Sequence, residues 1–78
     1  MQPKRGRNEI IRAILEECKG DGAVKTRIVY HANLNFRTVK PYLASLVEGG
    51  MLEVLDGPQD IYRTTEKVMR FWRGLERD

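Results

Sequence analysis

The sequence predicts a mainly α fold with one small β-hairpin, an α+β chain, and three observations carry that prediction. Apolar residues recur at helical spacings of three and four within residues 8–19, 26–32, 35–48 and 65–78. Residues 51–64 drop that period for two short strand-like runs around a cluster of turn formers. Glycines stand at the breaks, at Gly20, Gly22, Gly49 and Gly50, where a reversing chain favours a residue without a Cβ.

Taken in order, residues 1–7 form a flexible basic arm, with Lys4, Arg5 and Arg7 around Gly6. Asn8 is suited to cap a first helix running to about Lys19, with Ile10, Ile11, Ile14, Leu15 and Cys18 as its apolar stripe and Gly20 as its stop. Cys18 on that stripe reads as a buried, unreactive thiol, since a reactive one needs exposure and a base. Gly20-Asp21-Gly22 is turn chemistry, and Ala23-Val24-Lys25 reads as a very short strand. Thr26 then caps a short second helix whose inward residues are Ile28, Val29 and Ala32, and Asn33 is suited to a left-handed turn at its end. Leu34 plugs that turn. Asn35 caps the third helix, which buries Phe36, Val39, Leu43, Leu46 and Val47 on one face and ends at Gly49–Gly50. The opposite face carries Arg37, Thr38, Pro41 and Ser45, bordered by Lys40 and Tyr42. Pro41 cannot donate to the carbonyl of Arg37, so either the helix bends there or it begins in effect near Lys40. Two short helices joined by about three residues make a helix-turn-helix.

Met51–Leu55 and Ile61–Thr64 are the two strand-like runs, and Asp56-Gly57-Pro58-Gln59-Asp60 is the loop between them. Thr65, or Thr64, caps a last helix with Glu66 in its first turn and Val68, Phe71, Trp72 and Leu75 on one face. Helix, helix-turn-helix and hairpin in that order give a winged helix-turn-helix with an additional C-terminal helix. The chain therefore divides into the arm (1–7), the winged domain (8–64) and the last helix (65–78), a dimerisation element.

Composition limits the alternatives. Seventy-eight residues make one small domain, for which self-association supplies extra burial. No apolar run approaches a membrane span, and the basic N-terminus has no apolar segment behind it, so neither membrane insertion nor a secretory signal is expected. With one cysteine and one histidine, His31, no internal disulfide forms and a zinc site is short of ligands. His31 lies away from the inward face and reads as exposed. No cofactor, metal or small-molecule ligand is indicated. A phosphate-cradling loop and a nucleophile with its base are both missing, so the chain is not expected to be an enzyme. Charge is uneven: residues 1–40 hold nine Lys/Arg against four acids, and residues 41–78 hold five against seven. Such a basic half suits phosphate contacts. The hairpin is acidic, with Glu53, Asp56 and Asp60 opposed only by Arg63, and is expected to cap the core more than to grip DNA.

Tyr30, Asn33-Leu34-Asn35-Phe36, Val39, Tyr42-Leu43, Leu46 and Gly50-x-Leu52 together resemble the archaeal winged-helix DNA-binding proteins, a group of transcription regulators and small chromatin proteins. Tyr62-x-x-Thr65-Glu66-Lys67 is similar to that family's passage from wing to last helix. The resemblance spans residues 8–75. It implies double-stranded DNA binding through the third helix and dimerisation through the last, in a cytoplasmic, nucleoid-associated protein. The last helix spans at most about 20 Å, too short for the long coiled coil of some members.

The expected DNA-binding residues are Arg37, Thr38, Lys40, Pro41, Tyr42 and Ser45 of the third helix, Lys25 and Arg27 of the second, and Lys4, Arg5 and Arg7 of the arm. Arg37 is placed for a bidentate contact with guanine, and Lys40 and Tyr42 for the DNA backbone. The expected homodimer interface is Val68, Met69, Phe71, Trp72 and Leu75. Part of that stripe covers its own domain near Ile10, Ile14 and Tyr62, and the rest, chiefly Trp72 and Leu75, is left for two-fold pairing. The acidic hairpin and the Phe71–Trp72 pair keep open a second reading, a winged-helix protein-interaction module in a transcription or replication assembly.

Overall fold

Apolar residues from every element meet in one cluster in the computed structural model, which describes residues 6–76, with side chains through residue 74. The elements are α1 (Arg7–Glu17), β1 (Ala23–Val24), α2 (Lys25–Ala32), α3 (Phe36–Glu48), β2 (Leu52–Leu55), β3 (Ile61–Thr64) and α4 (Glu66–Glu76). Ile14 and Cys18 of α1, Ile28 and Ala32 of α2, Val39 and Leu43 of α3, Leu52 of β2 and Val68 of α4 are buried together. The helical spacings of α1, α2 and α3 are thus core spacings, with one exception among them. Phe36, placed on the same stripe as Val39 and Leu43, is 52% exposed, because it is the first residue of α3 and its ring lies past the end of the core.

The hairpin forms where the sequence indicates, though β2 begins at Leu52 and not Met51; Glu53 pairs opposite Arg63 and Val54 opposite Tyr62, and the loop is residues 56–60. The sheet has a third strand. β1 pairs antiparallel to β3, Ala23 opposite Tyr62 and Val24 opposite Ile61, so β3 is central. Gly22 makes this junction possible. Its φ is +87°, and a Cβ there would lie 2.8 Å from both the Ile61 side chain and the Tyr62 carbonyl oxygen.

The helix starts need correction in two places. Gly6, in extended conformation, is the N-cap of α1, and its carbonyl accepts from the Ile10 N–H at 3.1 Å. Asn8 is therefore already inside the first turn, and Arg7, assigned to the arm, is helical. At α2 the strand pairing holds Val24 extended, and the helix begins at once at Lys25, with Thr26 inside it. Lys25 accordingly belongs to α2 and not to the short strand. α1 also stops at Glu17, two residues early, where Cys18 forms its C-cap and the chain reverses at Gly20 (φ +70°).

Helix ends are closed by named groups. Asn33 takes the left-handed conformation (φ 58°, ψ 46°), and the N–H groups of Asn33 and Leu34 return to the carbonyls of Tyr30 and Val29. Gly50 (φ +80°) does the same for α3, with the Met51 N–H reaching the Leu46 carbonyl at 2.9 Å. At the end of β3, Thr64 donates from its Oγ1 to the Leu15 carbonyl at 2.6 Å and from its N–H to the Cys18 carbonyl at 3.0 Å. Thr65 donates from its Oγ1 to the Gly50 carbonyl at 2.8 Å and from its N–H to the Met51 carbonyl at 3.0 Å. The Thr65 hydroxyl thus joins α4 to the end of α3; only its main-chain carbonyl, accepting from Val68 and Met69, serves the helix start.

Candidate nucleic-acid interface

The outer face of α3 is built by its cap and its core stripe. The Asn35 Oδ1 accepts from the Thr38 N–H at 2.7 Å, and the Asn35 carbonyl accepts from the Val39 N–H at 3.0 Å. The first turn is therefore regular, and α3 runs continuously from Phe36 through Pro41 to Glu48. The alternative start near Lys40 is not what forms. The cap fixes the first turn well before Pro41, whose missing N–H affects only the exposed side of the helix. With Val39, Leu43 and Leu46 buried, Arg37, Thr38, Lys40, Pro41 and Ser45 are all exposed, and Tyr42 is half-buried against the core. Neither Arg37 nor Lys40 has a carboxylate within ion-pair distance among the described residues.

Two further cations come alongside. Arg7 lines a shallow hollow with Pro41 and Tyr42, so the start of α1 adjoins the outer face of α3. Lys25, half-buried, and Lys40 share a cleft of about 510 Å³ between α3 and the sheet, walled by Leu43, Val47, Val54 and Tyr62. The sequence carries no signal for either juxtaposition, because each depends on how α1, α2 and the sheet close around α3. Arg27 is placed differently. Its guanidinium lies 3.2 Å from the Glu17 carboxylate, which also lies 3.2 Å from the His31 Nδ1. Lys4 and Arg5 lie outside the described residues.

The wing is self-neutralised at its base. Arg63 Nε and its terminal nitrogen lie 2.8 Å and 2.7 Å from one Glu53 oxygen, across a direct strand pair. Asp56 and Asp60 have no ion-pair partner among the described residues. The hairpin tip therefore presents negative charge, unfavourable beside phosphate.

The α4 residues separate into three groups. Val68 is buried in the chain's own core. Met69 and Trp72 are half-buried; Trp72, expected to be left for pairing, instead packs against the chain's own core, its ring 4.6 Å from the Lys19 ammonium. Phe71 is 65% exposed, and the Leu75 side chain lies outside the described residues. An apolar groove of about 620 Å³ between α1 and α4 is lined by Ile11, Leu15, Met51, Phe71 and Trp72. Tyr62, expected under α4, instead lines the cleft beside α3, because the side chain of central β3 at that row faces α3.

Burial, and secondarily the Glu17 carboxylate, pushes the Cys18 thiol up to about 12, which keeps it protonated and inert. Burial, then Asp60, raises the Tyr62 phenol. Among the described residues no group of three or more His, Cys, Asp or Glu is arranged to hold a metal, and no helix is long and apolar enough to cross a membrane.

A family profile described as winged helix-turn-helix matches residues 4–77. Among solved structures, the fold is similar to the crystal structure of Sso10a-2, a DNA-binding protein from Sulfolobus solfataricus. That likeness has a TM-score of 0.77 and 32% sequence identity, over 92% of this chain and 76% of that one. No curated protein sequence matches the chain.

Proposed function

The chain belongs to the winged helix-turn-helix family, and on that premise we propose that it binds double-stranded DNA with α3 in the major groove. The family and the DNA-binding neighbour point to a binding protein and not to an enzyme. One observation carries the reading. The outer face of α3 sets Arg37 and Lys40 beside the hydroxyls of Thr38 and Ser45, and neither cation is neutralised by a described carboxylate. Unpaired cations and hydroxyls on a protruding helix suit phosphates and base edges. Arg37 contacts a base, Lys40 and Tyr42 contact the backbone, and Arg7 and Lys25 flank them. Arg27 joins only by leaving Glu17. Lys4 and Arg5 add phosphate or minor-groove contacts. The protein acts as a small transcription regulator or nucleoid protein, cytoplasmic and nucleoid-associated.

Pairing of two chains through α4 completes this reading. Phe71 stands exposed beside an apolar groove, and burying a large apolar side chain is worth roughly 1.5–3 kcal/mol. Two-fold pairing buries each such residue twice and presents two α3 helices to successive major-groove faces about 34 Å apart. Footprinting on genomic fragments at two salt concentrations tests the DNA reading. A discrete protected site indicates a regulator, and uniform coating indicates a chromatin role. Absence of salt-sensitive binding refutes both. Sedimentation at micromolar concentration, with Phe71→Glu as comparison, tests the dimer, and a wild-type monomer removes it.

A further inference from the structure

Phe36 is one of the large apolar side chains, with Tyr30 and Phe71, that folding leaves more than half exposed. It belongs by spacing to the buried stripe of Val39, Leu43 and Leu46, yet it is 52% exposed at the first residue of α3. The structural task common at such a position, an apolar clamp across the helix start, is filled by other residues. Leu34, which precedes the cap, and Val39, in the first turn, both belong to the core assembly. Around Phe36 the surface is polar: Asn35, Arg37, Thr38 and, one turn on, Lys40 are all exposed. An exposed ring is thus set at the leading end of the helix whose outer face carries Arg37 and Lys40.

We propose that Phe36 is a specificity-determining residue whose ring packs on the C5 methyl of a thymine. The inference rests on the reading of α3 as the helix in the major groove. N-terminal residues of such a helix approach base edges. Among the edge groups that the four base pairs present there, the thymine methyl is the apolar one, and phenylalanine is among the side chains that meet it. Arg37 beside it takes a polar edge, so adjacent residues read chemically opposite features. The two contacts together select a guanine and a thymine close to each other in the site.

The test uses full-length protein and duplexes enriched by it from a randomised pool. Each thymine of an enriched duplex is replaced in turn by deoxyuridine, which deletes only the methyl. For the wild type, at least one replacement weakens binding about fourfold, the worth of one buried methyl-sized group. For Phe36→Ala the same duplexes bind alike, at a lower common affinity. If no deoxyuridine position matters to the wild type, or if Phe36→Ala keeps the wild-type pattern, the inference is overturned. Should Phe36→Ala fail to fold, the wild-type complex decides by NMR. A nuclear Overhauser contact between the Phe36 ring and a thymine methyl is expected, and its absence overturns the inference. Salt-dependent binding with no enriched sequence also overturns it while leaving the DNA-binding reading intact. No binding at any salt removes that reading itself.

Discussion

Thr64→Val removes one hydrogen bond and little else. The Thr64 hydroxyl, in a residue only 5% exposed, donates to the Leu15 carbonyl at 2.6 Å. α1 stops at Glu17, so Leu15 holds one of the four carbonyls that a helix end leaves without a helical donor. Valine keeps the branched shape, and the Thr64 N–H bond to Cys18 belongs to the main chain, so the change strands the Leu15 oxygen alone. Leaving a buried acceptor unpaired costs about 1–3 kcal/mol. Replacing a hydroxyl by a buried methyl returns somewhat less than about 1 kcal/mol. The net loss is then about 0.2–2 kcal/mol, and at about 4–8 °C per kcal/mol for a domain of this size Tm falls by about 1–15 °C. Thermal and urea unfolding followed by circular dichroism, at one fixed protein concentration, measures it. Thr64→Ser is the companion: it keeps the donor, loses a methyl, and should cost about 1 kcal/mol or less. A Tm for Thr64→Val equal to the wild type, or a larger drop for Thr64→Ser, would refute the assignment of the Thr64 hydroxyl as the donor that closes the Leu15 carbonyl of α1.

Other outcomes follow from the same geometry. Gly22→Ala meets both a positive φ and a 2.8 Å approach to β3, and is expected to cost more than about 2 kcal/mol in urea unfolding; near-neutrality would mean that β1 pairs otherwise. Arg37→Ala should relax sequence preference by about 1–3 kcal/mol at one base pair, whereas Lys40→Ala should weaken all duplexes alike; identical effects in competition binding would mean that α3 reads no bases. Deleting residues 1–5 removes Lys4 and Arg5 and should lower the slope of log affinity against log salt by about 2, with unfolding unchanged. Because the folded thiol of Cys18 holds its proton up to about 12, against 9.0 for an ordinary one, its contribution to stability is complete below 9.0 and is lost as pH rises towards 12. Cys18→Ala should therefore flatten the alkaline loss of stability, and a variant that loses as much as the wild type would show that the thiol does not titrate with unfolding.

Residues whose partners are near in sequence were the legible ones. Asn33 and Asn35 announce their left-handed turn and N-cap because both depend on the local main chain, and both form as read. The hairpin is legible for the same reason, since turn formers sit between two apolar runs. The short strand at 23–24 is legible too, but its place in the sheet is not, because β1 finds β3 across 37 or more residues. Gly6 and Val24 displaced the expected caps because an extended conformation, set by a glycine or by strand pairing, sufficed without a side-chain acceptor. At the interface, the outer face of α3 follows directly from its inner stripe. The approach of Arg7 to Pro41 and Tyr42, and of Lys25 to Lys40, is tertiary and left no mark on the pattern. Phe36 misled because periodicity reports direction around a helix axis and is silent about where along that axis the core ends.

Thr64 and Thr65 occupy consecutive positions and reach in different directions, one to the end of α1 and the other to the end of α3. That makes the boundary between them intolerant of length change. A residue inserted there would turn α4 by about 100° relative to the rest of the chain, and the two threonines could no longer keep both partners. The 56–60 loop, exposed throughout and far along the hairpin from this joint, carries no such constraint. Length variation within the chain should therefore collect at the hairpin tip and be purged at the 64–65 bond. A linker-scanning library scored for soluble expression would display that contrast as a permissive site and a forbidden one, four residues apart.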